Sequence, residues 1–294
     1  MYIEEYAAYL KTEKKTSANT VDAYKGDICE FSAFLQEKTG VPVFAAKNTD
    51  LVSYVLSLKE QGKSAATINR KVASLRAFYR YLIAKGIITV NPADGIKSVK
   101  VERKEIEYLT LAEVDKLLST PDDSEKGKRD KAILEVLYAT GIRVSELVDV
   151  RIEDVNLRMG FISCMGPHSK ARIIPLGRPA RAALEEYIYD VRPMLIKDKA
   201  SEESALFVNY HGEKLTRQGL WKIIREYAAK AEIESKITPQ TLRNSFAVHM
   251  VQNGADLKSL QELLGHEDIS ATQIYLSVTK NRIKDVYDRT HPRA

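Results

Sequence analysis

Four short stretches of this chain put side chains that can bind phosphate or move protons at the turns between helices. In Ala139-Thr140-Gly141-Ile142-Arg143-Val144-Ser145-Glu146-Leu147, Gly141 predicts the end of one helix and Ser145 the start of the next, so Arg143 falls in the turn. An arginine there could share a bound phosphate with the free N–H groups of the second helix; taken alone it reads equally as a surface arginine. Thr238-Pro239-Gln240-Thr241-Leu242-Arg243 predicts a helix starting at Pro239, with Gln240 and Arg243 three residues apart on one face. Leu263-Leu264-Gly265-His266 predicts a helix end that presents His266 at the turn. Tyr275 follows nine residues later, at a position where core packing is the ordinary fate of a tyrosine.

What is absent narrows the chemistry. Neither GxxxxGK[ST] nor GxGxxG occurs, so no standard nucleotide cradle is visible. HExxH is missing, and the five histidines (168, 211, 249, 266 and 291) are too scattered to predict a metal cage. Cys29 and Cys164 are the only cysteines, too few for a disulfide framework or a cysteine-built zinc site. The expectation is chemistry by side chains alone, with no metal and no cofactor, in a reducing cytoplasm.

These residues need a scaffold, and 294 residues suggest about two domains at roughly 150 residues each. Hydrophobic residues make up 44% and charged residues 29%, which excludes global disorder. No apolar run approaches the roughly 18 residues that span a bilayer, and the start, MYIEEYAAYLKTEKK, lacks the apolar stretch of a signal peptide. No membrane insertion is expected.

The net charge of +5 is small, but it is unevenly spread. Residues 63–104 hold ten Lys and Arg against Asp94 and Glu102, a local +8 that leaves −3 for the rest of the chain. Such a stripe is the footprint of a phosphate-backbone partner, or else a solvated helix face followed by a charged linker.

The first hundred residues read as short helices. One follows Val21, Tyr24, Ile28, Phe31, Phe34 and Leu35; a second runs from Asp50 to about Gly62; a third spans about Ala65 to Ala84 and stops at Gly86. On the last of these, Arg70, Lys71, Arg76 and Arg80 avoid the apolar stripe and are the candidates for facing a partner. Asn91-Pro92 ends this region. Residues 1–96 are thus a helical domain, 97–107 a linker and 108–294 a second domain. Thr110 and Glu113 predict a capping box, with helices over about 110–119, 129–140 and 179–191. Phe161 to Met165 and Arg172 to Leu176 read as two strands around Gly166-Pro167-His168-Ser169, and Leu206-Phe207-Val208 as a further short one. The fold class is mainly α with a small antiparallel sheet.

Taken together, ATGIRVSEL, TPQTLRNSFAVHM and NGADLKSLQELLGHEDISATQIY resemble, in order and spacing, the signature boxes of the tyrosine site-specific recombinases, the phage integrase family, and are most similar to its Xer-type members. TVDAYKGDICEFSAFL, from Thr20, resembles the family's N-terminal core-binding domain, and the terminal HPRA resembles Xer endings. The resemblance covers nearly the whole chain. It implies a SAM-like helical core-binding domain and an α-rich catalytic domain forming a C-shaped clamp on duplex DNA. By the same resemblance, Tyr275 is the nucleophile that forms a 3′-phosphotyrosyl bond, Arg143 and Arg243 clamp the phosphate oxygens, and His266 hydrogen-bonds the same phosphate. Arginine forks can neutralise a phosphoryl transition state without metal.

Two positions depart from the family pattern. Gln240 stands where a histidine is usual; glutamine donates a hydrogen bond but exchanges no proton near neutral pH. In the hairpin, the lysine expected to protonate the leaving 5′-oxygen is replaced by Pro167, which leaves Lys170, matching the family's second lysine, or His168 as donor. Asn244 also occupies a position where the family often has histidine.

Two readings follow. In one, the chain is an active recombinase that cleaves and rejoins DNA, in chromosome or plasmid dimer resolution or in integration and excision. In the other, it is a DNA-binding protein on the same fold with weak or no cleavage, acting by site occupancy or with a recombinase partner. The resemblance implies a homo-oligomer, a tetramer on two DNA sites, or pairing with a second recombinase subunit. The segment Lys280 to Ala294, with Ile283, Val286 and Tyr287 on one face, either docks on a neighbouring subunit or covers its own core.

Overall fold

Helical spacing of apolar residues sets nearly every element, and the contacts among them divide the chain into two units, Met1–Lys104 and Glu105–Ala294. A computed structural model describes residues 2–101, 105–165, 171–196, 204–235 and 237–276. Pro167, His168, Lys170 and the segment 280–294 lie outside the described residues. Among the described residues no helix is long and apolar enough to cross a membrane.

The first unit holds α1 (Tyr2–Thr12), α2 (Ala18–Lys38), α3 (Asn48–Glu60) and α4 (Ala65–Ala84). Ser17 and Ser64 cap α2 and α4 by accepting from Thr20 N at 3.3 Å and Thr67 N at 3.2 Å. Asp50 is not the cap of α3. The helix starts two residues earlier, and the Asp50 carboxylate accepts from the Lys47 N–H at 2.8 Å. Ile28, Phe31, Leu35, Leu51, Leu58, Ile68, Leu75, Phe78 and Leu82 form the core.

A buried polar cluster crosses this core. Asp27, 3% exposed, accepts from Arg70, from Lys71 Nζ at 3.2 Å and from Ser74 Oγ at 3.1 Å, while Lys71 also reaches Glu30 at 2.6 Å. Lys71 therefore does not face a partner as its place off the apolar stripe predicts. It is buried because α2 supplies two carboxylates opposite it, and a charge so paired can be taken out of water. Arg76 is also partly internal, donating to Ala93 O at 3.3 Å and Ile96 O at 3.0 Å. Arg70 stays half exposed and Arg80 is exposed.

The second unit holds α5 (Leu111–Ser119), α6 (Glu125–Thr140), α7 (Val144–Leu147), strands β1 (Val155–Asn156), β2 (Phe161–Met165) and β3 (Ala171–Pro175), then α8 (Arg178–Glu186), α9 (Arg192–Ile196), α10 (Arg217–Lys230), α11 (Pro239–Gln252), α12 (Leu257–Leu264) and α13 (Ser270–Gln273). The capping box forms as predicted, with Thr110 Oγ1 accepting from Glu113 N at 3.2 Å and Glu113 accepting from Thr110 N at 2.7 Å. Helix α6 begins four residues before its predicted start, capped by Ser124, and its Ile133, Leu134, Val136 and Leu137 are buried at the centre of the unit. The helix predicted over 179–191 instead gives α8 followed by a single π turn, Tyr187–Val191, leading into α9.

The sheet is antiparallel in the order β1-β2-β3. Among the described residues, 206–208 do not join it; isolated bridges link Arg151 to Ala205 and Val208 to Lys214. Ile162 pairs with Ile174 and Cys164 with Arg172, so all four share one face of the sheet. Ile162, Cys164 and Ile174 are buried, and this places Arg172 on the inward side.

Candidate active site

The site is built where α6 and α12 end. Gly141, at φ 57°, closes α6 in the left-handed conformation, and a Cβ there would lie 2.4 Å from Phe246 Cδ1 of α11. Only glycine allows that approach, and it puts the Gly141 carbonyl within reach of the Arg243 guanidinium, which donates to it. Gly265, at φ 62°, closes α12 in the same way; a Cβ there would sit 2.9 Å from Arg172 Nη1.

Three guanidiniums converge on these two helix ends. Arg243, 4% exposed, donates to Leu264 O at 2.7 Å; Arg172 donates to Leu263 O at 3.0 Å; Arg143 donates to Gly265 O at 2.9 Å. The carbonyls at a helix C-terminus lack intrahelical partners and carry the negative end of the macrodipole, so cations are favoured there. Glu146, the third residue of α7, supplies the one carboxylate bonded to them among the described residues. It accepts from Arg143 N at 2.9 Å, Arg143 Nη1 at 2.8 Å, and Arg172 Nη1 and Nη2 at 3.0 and 2.7 Å. Burial opposes its ionisation, but the bonds from Arg172 and Arg143 outweigh that and hold the carboxyl below its ordinary value.

His266 completes the cluster. Arg243 Nη2 lies 3.0 Å from its Nε2, and a guanidinium can only donate, so Nε2 is the acceptor and the ring proton sits on Nδ1. That proton points to Thr272 Oγ1 at 2.8 Å, a fully buried hydroxyl. Burial, then the charges of Arg243 and Arg143, push the imidazole down to about 4, so it is neutral at pH 7. Burial, with help from Arg143, likewise pulls Arg243 down to about 10, still protonated at neutral pH. Three cations against one carboxylate and a neutral histidine leave a local charge of +2, suited to a phosphodiester anion.

Tyr275 lies just past α13, 1% exposed, packed with Phe246, Ala247, Val248, Leu260 and Leu264. Its hydroxyl donates to Asn244 Oδ1 at 3.2 Å. Burial raises its pKa against the opposing pull of Arg243 and Arg143, so the phenol keeps its proton. Gln240 is exposed and donates to the same Asn244 oxygen at 2.9 Å. Arg143, Arg243 and His266 thus form one hydrogen-bonded cluster, Gln240 and Tyr275 meet through Asn244, and Lys170 is outside the described residues.

The sequence matches the phage integrase family over residues 107–282 and the N-terminal SAM-like domain of phage integrases over residues 3–86. The chain belongs to the phage integrase family. Within it, the tyrosine recombinase XerD of Oceanobacillus iheyensis is 45% identical over 293 residues, which is 99% of this chain and 98% of that protein. XerD of Listeria monocytogenes is 45% identical over 294 residues, 99% of each chain. The fold is that of the XerH site-specific recombinase solved bound to its palindromic difH substrate in a post-cleavage complex, with TM-score 0.77 at 20% identity over 97% of this chain and 82% of that one.

Sequence reading passed over two members of this cluster, Glu146 and Arg172. Each carries a recoverable signal. Glu146 stands three residues after a turn arginine at a helix start, where its side chain can turn back to the Arg143 N–H. Arg172 is a charge in the inward register of a strand, between Cys164 and Ile174 on the same face, and a charge there requires a partner.

Proposed function

We propose that this chain is a site-specific DNA recombinase of the Xer type, cleaving and rejoining duplex DNA through a 3′-phosphotyrosyl intermediate. The observation that carries this reading is the cluster of Arg143, Arg243 and His266, a cationic site built in the same unit as Tyr275. The Tyr275 oxygen forms a bond to phosphorus, the bond from phosphorus to the 5′-oxygen breaks, and the phenolic proton ends on that 5′-oxygen. One phosphate ester replaces another, so rejoining is the same exchange in reverse and needs neither ATP nor metal.

Arg143 and Arg243 neutralise the non-bridging oxygens, and neutral His266 hydrogen-bonds the same phosphate. Gln240 contributes a hydrogen bond without proton exchange, and Lys170 or His168 gives a proton to the leaving oxygen and is made good by the one the phenol loses, so the net transfer is one proton from Tyr275 to the 5′-oxygen. Residues 1–96 act as the core-binding domain, 97–107 as linker and 108–294 as catalytic domain, both on duplex DNA. Arg70, Arg76 and Arg80 face its backbone. The active assembly is a tetramer on two DNA sites, of this chain alone or with a paired recombinase, acting in the cytoplasm.

The test is a library of nicked duplexes with randomised cores, incubated with the full chain and resolved under denaturing conditions. A covalent adduct in wild type that is absent in Tyr275→Phe is expected. No adduct from any core, or an adduct that survives Tyr275→Phe, overturns the reading in favour of site occupancy without cleavage.

A further inference from the structure

Asn244 has every polar atom committed, and each commitment bears on the nucleophile. Its Oδ1 accepts from the Tyr275 hydroxyl at 3.2 Å and from Gln240 Nε2 at 2.9 Å, and its Nδ2 donates to Glu107 O at 3.0 Å. The amide has one workable orientation. Flipped, its NH₂ would face the Gln240 NH₂ and its oxygen would face the Glu107 carbonyl. The next residue of α11, Ser245, accepts from the Leu109 N–H at 2.8 Å, so two consecutive side chains of α11 grip the segment 107–109 by which the chain enters the catalytic unit.

The Tyr275 hydroxyl therefore rests against an acceptor that is no base. An amide oxygen takes a hydrogen bond but not a proton near neutral pH, so a phenol pointed at it stays a phenol. The ring is 1% exposed, and in this position its oxygen is closed off from a DNA phosphate. Resting on the reading of Tyr275 as nucleophile, we infer that Asn244 is a positioning residue that holds Tyr275 in a protonated, retracted state and ties that state to the entering segment at Glu107. Attack on DNA then requires Tyr275 to leave Asn244, and displacement of Glu107 weakens the restraint.

Two substitutions separate the restraint from general loosening. Asn244→Ala removes both arms. Asn244→Asp keeps an acceptor for the tyrosine and removes the donor to Glu107. The measurement is residue-resolved nitration of the free, full-length protein with tetranitromethane, with buried Tyr187 and Tyr227 as internal controls. Asn244→Ala should raise Tyr275 nitration several-fold with the two controls still protected, and Asn244→Asp, which keeps the acceptor but loses the tie to Glu107, should raise it by a smaller factor. On the nicked duplex library, Asn244→Ala should form adduct several-fold faster than wild type, and Asn244→Asp should show a smaller gain. Unchanged Tyr275 nitration in Asn244→Ala, equal rises in all three tyrosines, equal rises in both variants, or slower adduct formation by Asn244→Ala each overturns the inference. If wild type yields no adduct at all, the recombinase reading falls while the nitration pattern still decides the role of Asn244.

Discussion

Arg243 Nη2 approaches His266 Nε2 at 3.0 Å, and because the guanidinium only donates, the histidine nitrogen facing the cationic cluster is a lone pair. The ring is held neutral by its surroundings until an anion arrives to take up the arginine. Protonating it in the free protein would set a third kind of cation against Arg243 and Arg143 in a half-buried site.

That relation gives a pH dependence with a definite sign. The folded-state pKa of His266 is about 4, below the ordinary value of 6.5, so between these values the unfolded chain binds the proton more readily. The contribution to stability is complete above about pH 6.5 and is lost as pH falls towards 4, by on the order of 1–3 kcal/mol. Chemical denaturation of wild type and His266→Gln at pH 7.5 and pH 5 should show the smaller loss in the variant. Equal losses would place the titration elsewhere.

Among the described residues, Glu146 is the counter-charge for Arg143 and Arg172. Glu146→Gln leaves two partly buried guanidiniums with carbonyl acceptors but no counter-charge, and the expected cost is about 1–2 kcal/mol in urea denaturation. Added sulfate should restore part of that loss and stabilise the variant more than wild type, because it supplies the missing anion. An indifferent response to sulfate would mean that the cluster does not bind anions.

Gly265 and Gly62 separate backbone strain from crowding. Both have positive φ, 62° and 70°, but a Cβ at Gly62 meets nothing within 4 Å while one at Gly265 meets Arg172 Nη1 at 2.9 Å. Gly62→Ala should cost about 1 kcal/mol, the strain of a left-handed alanine, and leave adduct formation intact. Gly265→Ala should cost more and cut adduct formation at least ten-fold by displacing Arg172. Equal behaviour of the two variants would show that Arg172 yields freely.

In the first unit, Lys71→Met should act on stability and Arg80→Glu on DNA. Losing Lys71 takes one of two cations from buried Asp27, which keeps Arg70 and Ser74, at an expected cost of about 1–3 kcal/mol. Reversing exposed Arg80 should weaken binding across many sequences and lower the slope of log affinity against log salt by about 1 or more. A salt slope unchanged from wild type would return Arg80 to an ordinary solvated face.

Local patterns made much of this legible in the sequence. The apolar stripe of α4, the Thr110 box, and the glycine ends at 141 and 265 are all encoded within a few residues of where they act. The three boxes likewise pointed to Tyr275 and to Arg143, Arg243 and His266, which the fold gathers at one place. What stayed hidden depends on partners remote in sequence. Lys71 is buried because Asp27 and Glu30 of another helix face it, and Arg172 joins the site through Glu146, 26 residues earlier, and the Leu263 carbonyl, 91 residues later. The hydroxyl of Tyr275 could not be placed before α11 set Asn244 above it. The π turn after α8 leaves no mark in apolar spacing.

The bonds that assemble the cluster span long stretches of chain: 122 residues from Arg143 to the Gly265 carbonyl and 102 from Arg243 to the Gly141 carbonyl. A growing polypeptide emerging from the ribosome therefore has no assembled arginine cluster until Gly265 has been made and folded back onto the end of α6. Tyr275 follows ten residues later. A copy interrupted before Gly265 thus lacks the cluster and the tyrosine together, so synthesis delivers the two almost at once.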